Sequence, residues 1–162
     1  SGIRIRPGSP AERMFASMLE AVTGELARLI VRDGEGATRM MEVRVGGARS
    51  EREAQACARQ VAVSSLVKTM LAGSDPNVGR IAGAVGASGA SFDPGRLEIF
   101  IGPHRVVARG MVLPRAQAAS RPWLRRPEVA VRIELHAGRA EGRMLTCDLT
   151  EDYVRINAGY ST

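Results

Sequence analysis

A chain of 162 residues, 44% hydrophobic and 25% charged, has the length of about one domain and the make-up of a soluble globular protein. No apolar run reaches the roughly 18 residues a membrane span needs, which excludes a membrane-spanning class. The net charge of +6 raises nucleic acid as a partner, but the arginines are dispersed and aromatics are only 4%, too few for stacking platforms, so the charge is assigned to a solvated surface and no nucleic acid is expected.

The first predicted element starts at Ser9-Pro10-Ala11-Glu12, with Ser9 as N-cap, Pro10 at the first helical position and Glu12 closing a capping box. Phe15, Met18, Leu19, Val22, Leu26, Leu29 and Ile30 recur at helical intervals and predict an amphipathic helix that stops near Asp33-Gly34-Glu35-Gly36. Met40 to Val45 alternates as a strand, with Met41, Val43 and Val45 on one face. A second capping box, Ser50 to Glu53, opens a helix running to about Lys68, with small apolar positions suited to close packing. After the turn at Gly73 to Asn77, a short helix covers Val78 to about Val85. Leu97–Ile101 and Val106–Ala108 form a hairpin-like pair, and Gln117–Leu124 a short helix. Val129 to His136 alternates, turns at Gly138–Gly142, and Arg143 to Leu149 returns as its partner strand. A last short helix starts at Thr150 and runs through Asn157. The order implies an α+β fold: a mixed, mostly antiparallel sheet with helices packed on one face. Residues 1–9 are a lead-in, and 10–162 one domain.

Polar groups gather at the turn after Lys68, the only lysine. Gly73 is the candidate for positive φ, and Asp75-Pro76 a helix entry. Such a cluster is a site or simply a well-capped helix. Asp33-Gly34-Glu35-Gly36 is likewise either an exposed acidic loop or a carboxylate that holds a cationic amine, and the residues alone leave both open. Cys57 and Cys147 are far apart, without metal-ligand spacing; they point to a reducing compartment and, with no signal-peptide pattern, to a cytoplasmic location. His104 and His136 have no recognisable partners. No phosphate loop, dinucleotide fingerprint or zinc motif is present.

Three segments in order resemble one family. They are Asp33-Gly34-Glu35-Gly36-Ala37-Thr38-Arg39; Ser65-Leu66-Val67-Lys68-Thr69 with Ser74-Asp75-Pro76-Asn77-Val78-Gly79-Arg80; and Cys147 to Asn157 with Tyr160-Ser161-Thr162. They look like the C-terminal part of the β chain of the ornithine acetyltransferases, the bifunctional glutamate N-acetyltransferases of arginine biosynthesis. The resemblance implies a self-cleaving precursor whose new N-terminal threonine takes acetyl from N-acetylornithine and passes it to glutamate, with acetyl-CoA a further donor in some members and no resident cofactor. It implies an α/β hetero-oligomer made with the α chain and the rest of the precursor. Neither the nucleophile segment nor the oxyanion threonine–glycine pair is found here, so no catalytic residue is assigned and these residues alone are expected to lack transfer activity. Substrate contacts carry over to Glu35, Asn157 and Thr162. The sequence departs at Val78, where tryptophan is usual, and at Arg39, where lysine is common. The alternative chemistry is that of a related self-cleaving acyl hydrolase or a secondary-metabolism acyltransferase.

Overall fold

The computed structural model describes residues 2–159. Its sheet is organised on β1 (Met40–Ala48), where Met41, Val43 and Val45 are buried as the alternation requires. β5 (Glu128–Glu134) runs parallel to β1, in register from Met40 opposite Glu128 to Gly46 opposite Glu134. β6 (Ala140–Cys147) flanks β1 on the other side, antiparallel. Beyond β5 come β2 (Glu98–Ile101), β3 (His104–Ala108) and the short β4 (Met111–Val112), each antiparallel to its neighbour. The order β4-β3-β2-β5-β1-β6 is therefore mixed and mostly antiparallel, as the sequence implies.

The expected hairpin between 129–136 and 143–149 is not formed, because β1 lies between the two strands. The N–H groups of Ala137 and Gly138 both donate to the Gly47 carbonyl, so the chain leaves β5, crosses the end of β1 and descends on its far side. β1 claims the central place because Met40, Met41, Glu42 and Val43 are all buried in succession, and a strand covered on both faces belongs inside a sheet.

One core cluster joins the inner face of the sheet to α2 (Glu51–Val63), α3 (Ser65–Ala72), α4 (Val78–Gly86) and α5 (Pro114–Leu124). Ala54, Cys57 and Ala58 let α2 lie close on β1 and β6, and a Cβ at Gly142 of β6 would stand 2.6 Å from the Ala54 backbone. The helix expected to continue to Lys68 breaks at Ser64, whose ψ of 115° leaves the helical region while its hydroxyl accepts from the Val67 N–H and starts α3. In the following turn Gly73 keeps φ −76°, and the positive φ of 49° falls on Ser74 instead. α4 begins at Val78, with Asn77 rather than Asp75 at the N-cap position and no capping bond from its side chain, and Val78 itself is fully packed in the core.

α1 (Pro10–Arg32) starts as predicted, with the Ser9 hydroxyl accepting from the Glu12 N–H at 3.2 Å. It lies on the opposite face from the other helices named above. Its Arg28 reaches Glu128 at 3.4 Å and Glu42 at 3.8 Å, and Arg32 also pairs with Glu128. Glu42 alternates with the core residues Met41 and Val43, so these pairs form on the sheet's outer face. The expectation that all helices share one face is corrected by α1: its sheet-side residues can pair with outer-face carboxylates, whereas the inner face is already filled by α2 to α5. The last helix, α6 (Glu151–Ala158), follows β6.

Candidate functional site

The loop that ends α1 is tied to the segment leading into α6 by two devices. Asp148, at the exit of β6 and only 3% exposed, accepts from the Thr38 N–H at 2.8 Å, the Arg39 N–H at 3.1 Å and the Thr38 hydroxyl at 2.5 Å. A buried carboxylate is tolerated when its oxygens are filled by donors in this way. Thr150 donates its hydroxyl to the Gly36 carbonyl at 2.7 Å while accepting from the Tyr153 N–H, so one side chain caps α6 and holds the loop. Gly36 has φ 65°, and a Cβ there would fall 2.6 Å from the Tyr153 nitrogen. Only glycine allows α6 to approach so closely.

This clamp brings two of the three expected substrate contacts together. The Asn157 amide nitrogen donates to a Glu35 carboxylate oxygen at 3.0 Å and to the Tyr153 carbonyl at 2.9 Å. An amide nitrogen carries two hydrogens, so both are used within the protein. The other Glu35 oxygen and the Asn157 amide oxygen take no further hydrogen bond among the described residues. The pair thus presents acceptors and a negative charge, a combination suited to an ammonium group. Both residues are exposed and lie on an open surface. Thr162, the third expected contact, lies outside the described residues, as does Tyr160.

At the clamp itself, an open cleft of about 630 Å³ is lined by Thr38, Arg39, Thr69, Gly73, Leu149 and Thr150, among others; Glu35 and Asn157 are not part of its lining. Arg39 crosses this region and donates to the carbonyls of Leu71 and Ala72 at 3.0 and 2.8 Å, satisfying the C-terminal end of α3. The Lys68 carbonyl accepts from the Leu149 N–H at 3.3 Å. The turn after Lys68 is braced in turn by Arg80, which donates to the Leu66 carbonyl, and by Gln117, which donates to the Pro76 carbonyl at 2.6 Å. The polar cluster around Lys68 therefore supports the wall of the cleft through backbone contacts. Asp148 is a positioning residue that sequence reasoning did not single out, its one available signal being a carboxylate closing a strand, and Arg39, noted in the sequence only as standing where lysine is common, is a second.

The remaining candidates lie elsewhere. His104 stacks edge-on against Trp123 with ring centres 6.2 Å apart, and His136 stands 3.5 Å from Glu98. Cys57 is fully buried, and burial pushes its thiol pKa up against a smaller opposing hydrogen bond from Ser88. No cluster of His, Cys, Asp and Glu fit to hold a metal occurs among the described residues.

Comparison with known proteins gives consistent matches. A sequence model described as the ArgJ family matches residues 2–162. An arginine biosynthesis bifunctional protein of Symbiobacterium thermophilum is 46% identical over 98% of this chain and 40% of its own length. Its counterpart in Thermus thermophilus is 49% identical over 93% of this chain and 39% of its own. The crystal structure of an arginine biosynthesis bifunctional protein from Bacillus halodurans superposes with a TM-score of 0.92 at 39% identity, covering 96% of this chain and 74% of that one. The chain thus spans about 40% of the length of these curated relatives.

Proposed function

Because the chain belongs to the ArgJ family, we propose that it is the substrate-side part of an enzyme that transfers acetyl from N-acetylornithine to glutamate. The observation that carries this reading is the contact between Glu35 and Asn157, which leaves two acceptor oxygens and a negative charge facing outward. The cationic side-chain amine of N-acetylornithine is the matching donor. Thr162 joins the pair in this reading as a hydroxyl contact. In the transfer, a threonine outside these residues attacks the acetyl carbonyl. The amide bond breaks, ornithine leaves with the proton on its amine, and the acyl-threonine ester forms. The glutamate amine then attacks the ester, takes the acetyl group and frees the threonine. Donor and acceptor are both amino acids, so one site can serve the two half-reactions in turn. This route needs no resident cofactor.

The longer protein, comprising the α chain and the rest of the precursor, supplies the nucleophile and the oxyanion hole, and residues 10–162 supply the substrate-side unit. The names of the relatives, proteins of arginine biosynthesis, support this assignment. The test is the full-length parent protein incubated with N-acetylornithine. Ornithine release that requires glutamate, with N-acetylglutamate formed in equal amount, is the expected outcome. Ornithine release without glutamate would make the enzyme a hydrolase, and no turnover would place it with another acyl donor.

A further inference from the structure

α1 wears its apolar face on the outside. Phe15, Met18, Leu19, Val22, Leu26 and Ile30 are each at least half exposed, and no residue of the helix is buried. The side that faces the sheet carries Gly24, Ala27, Arg28 and Val31, with Ile30 at its margin bordering the same gap. At about 100° per residue, Gly24, Arg28 and Val31 lie across the helix from Phe15, Met18, Leu19, Val22 and Leu26. Arg28 and Arg32 are engaged in ion pairs with Glu42 and Glu128, which fixes the helix with its stripe turned away from its own domain. A free soluble protein rarely exposes an apolar patch of this extent.

We infer that this stripe is the surface on which the remaining part of the longer family protein packs, a segment of the same gene product outside these 162 residues. The inference rests on the reading that the chain is part of that longer protein; it does not depend on acetyl transfer. Nearly all of this chain matches relatives of which it spans only about 40%, so each of these relatives carries a further segment, longer than this chain, that is available to cover the stripe. The stripe runs directly into the loop that carries Glu35. A segment seated on it would stand beside the open Glu35–Asn157 pair and could wall in the substrate there. A lipid surface fits less well. Helices that lie on membranes are rich in lysine and arginine on their polar face, whereas α1 balances Arg13, Arg28 and Arg32 with Glu12, Glu20 and Glu25, and two of those arginines already pair with the sheet.

The experiment uses the wild-type full-length protein and hydroxyl-radical oxidation, with each side chain's rate compared with its own rate in the denatured protein. Phe15 and Met18 are expected to be oxidised more than about twofold more slowly in the native protein, as for side chains packed in an interface. Oxidation within about twofold of the denatured rate would overturn the inference, because the stripe would then be free. The occupant is identified by placing photoreactive benzoylphenylalanine at Phe15. Crosslinks to peptides outside these 162 residues are expected. Crosslinks between two copies of α1, to lipid, or only within residues 2–159 would each overturn it. A protein that passes these tests yet transfers no acetyl group would refute the proposed reaction and leave the interface standing.

Discussion

The Asn157 amide stands 3.0 Å from the Glu35 carboxylate although 122 positions separate them in the chain. Neither residue reaches the other by its own secondary structure. Glu35 sits on the loop after α1, Asn157 on the last turn of α6, and the two meet because Asp148 and Thr150 fasten that loop to the segment leading into α6. The pair is thus a product of the clamp beneath it.

Replacing Asn157 by alanine in the full-length protein should raise KM for N-acetylornithine about 3–10-fold, and the same change in a Glu35→Ala background should have a smaller effect. Residues in direct contact are coupled, so the double variant should fall short of the product of the single effects by about threefold. Steady-state kinetics on the four proteins of the cycle measures this. Strict multiplicativity would mean that the two residues act separately.

Asp148→Ala should destabilise the protein by about 2–4 kcal/mol, since it leaves the Thr38 and Arg39 N–H groups and the Thr38 hydroxyl without their acceptor. Urea unfolding checks it, as a lower midpoint at unchanged slope. A loss under about 0.5 kcal/mol would show that the clamp is dispensable.

Two glycines should respond in opposite directions. Gly36→Ala forces a side chain into a left-handed conformation and against the Tyr153 backbone, so it should displace α6, raise KM for N-acetylornithine and lower Tm. Gly24→Ala, in the middle of α1 with no atom within 4 Å of the added carbon, should stabilise by about 0.5–1 kcal/mol. Melting curves and KM together distinguish the two effects.

Cys57 gives the stability a pH dependence in the alkaline range. Burial holds the thiol protonated, so its pKa is higher in the folded than in the unfolded chain. The stability this contributes is complete below the ordinary thiol pKa and is lost as pH rises through the raised one, because the unfolded chain gives up its proton first. The urea midpoint of the wild type should therefore fall more between about pH 7.5 and 9.5 than that of Cys57→Ala. Parallel falls would remove Cys57 as the cause.

Local chemistry made most elements legible in the sequence. The capping boxes at Ser9 and Ser50 open α1 and α2 where they should, and the alternation at Met41, Val43 and Val45 marks an inward strand face. Strand neighbours were less legible. The two alternating runs at 129–136 and 143–149, joined by a glycine-rich link, have the pattern of a hairpin, and nothing local shows that β1 separates them. The direction of α1's stripe was hidden for a related reason. Periodicity shows that a helix has an apolar face but does not show what that face meets. The family resemblance is what selects Glu35 and Asn157, since a glutamate between glycines fits an exposed acidic loop as well as a binding site and an asparagine late in a helix carries no signal of its own. Asp148, which holds them in place, is legible only once the loop and the strand end are seen together.

The measurement that tests the account most directly is KM for N-acetylornithine in Glu35→Gln of the full-length protein, with Glu98→Gln, an outer-face carboxylate paired with Arg105, as control. Glutamine keeps the shape of the side chain and removes its charge. Losing a hydrogen bond between charged groups should raise KM about 10–100-fold, with kcat changed little and the control unaffected. An unchanged KM would contradict the account, because the carboxylate beside Asn157 would then have no part in holding the substrate.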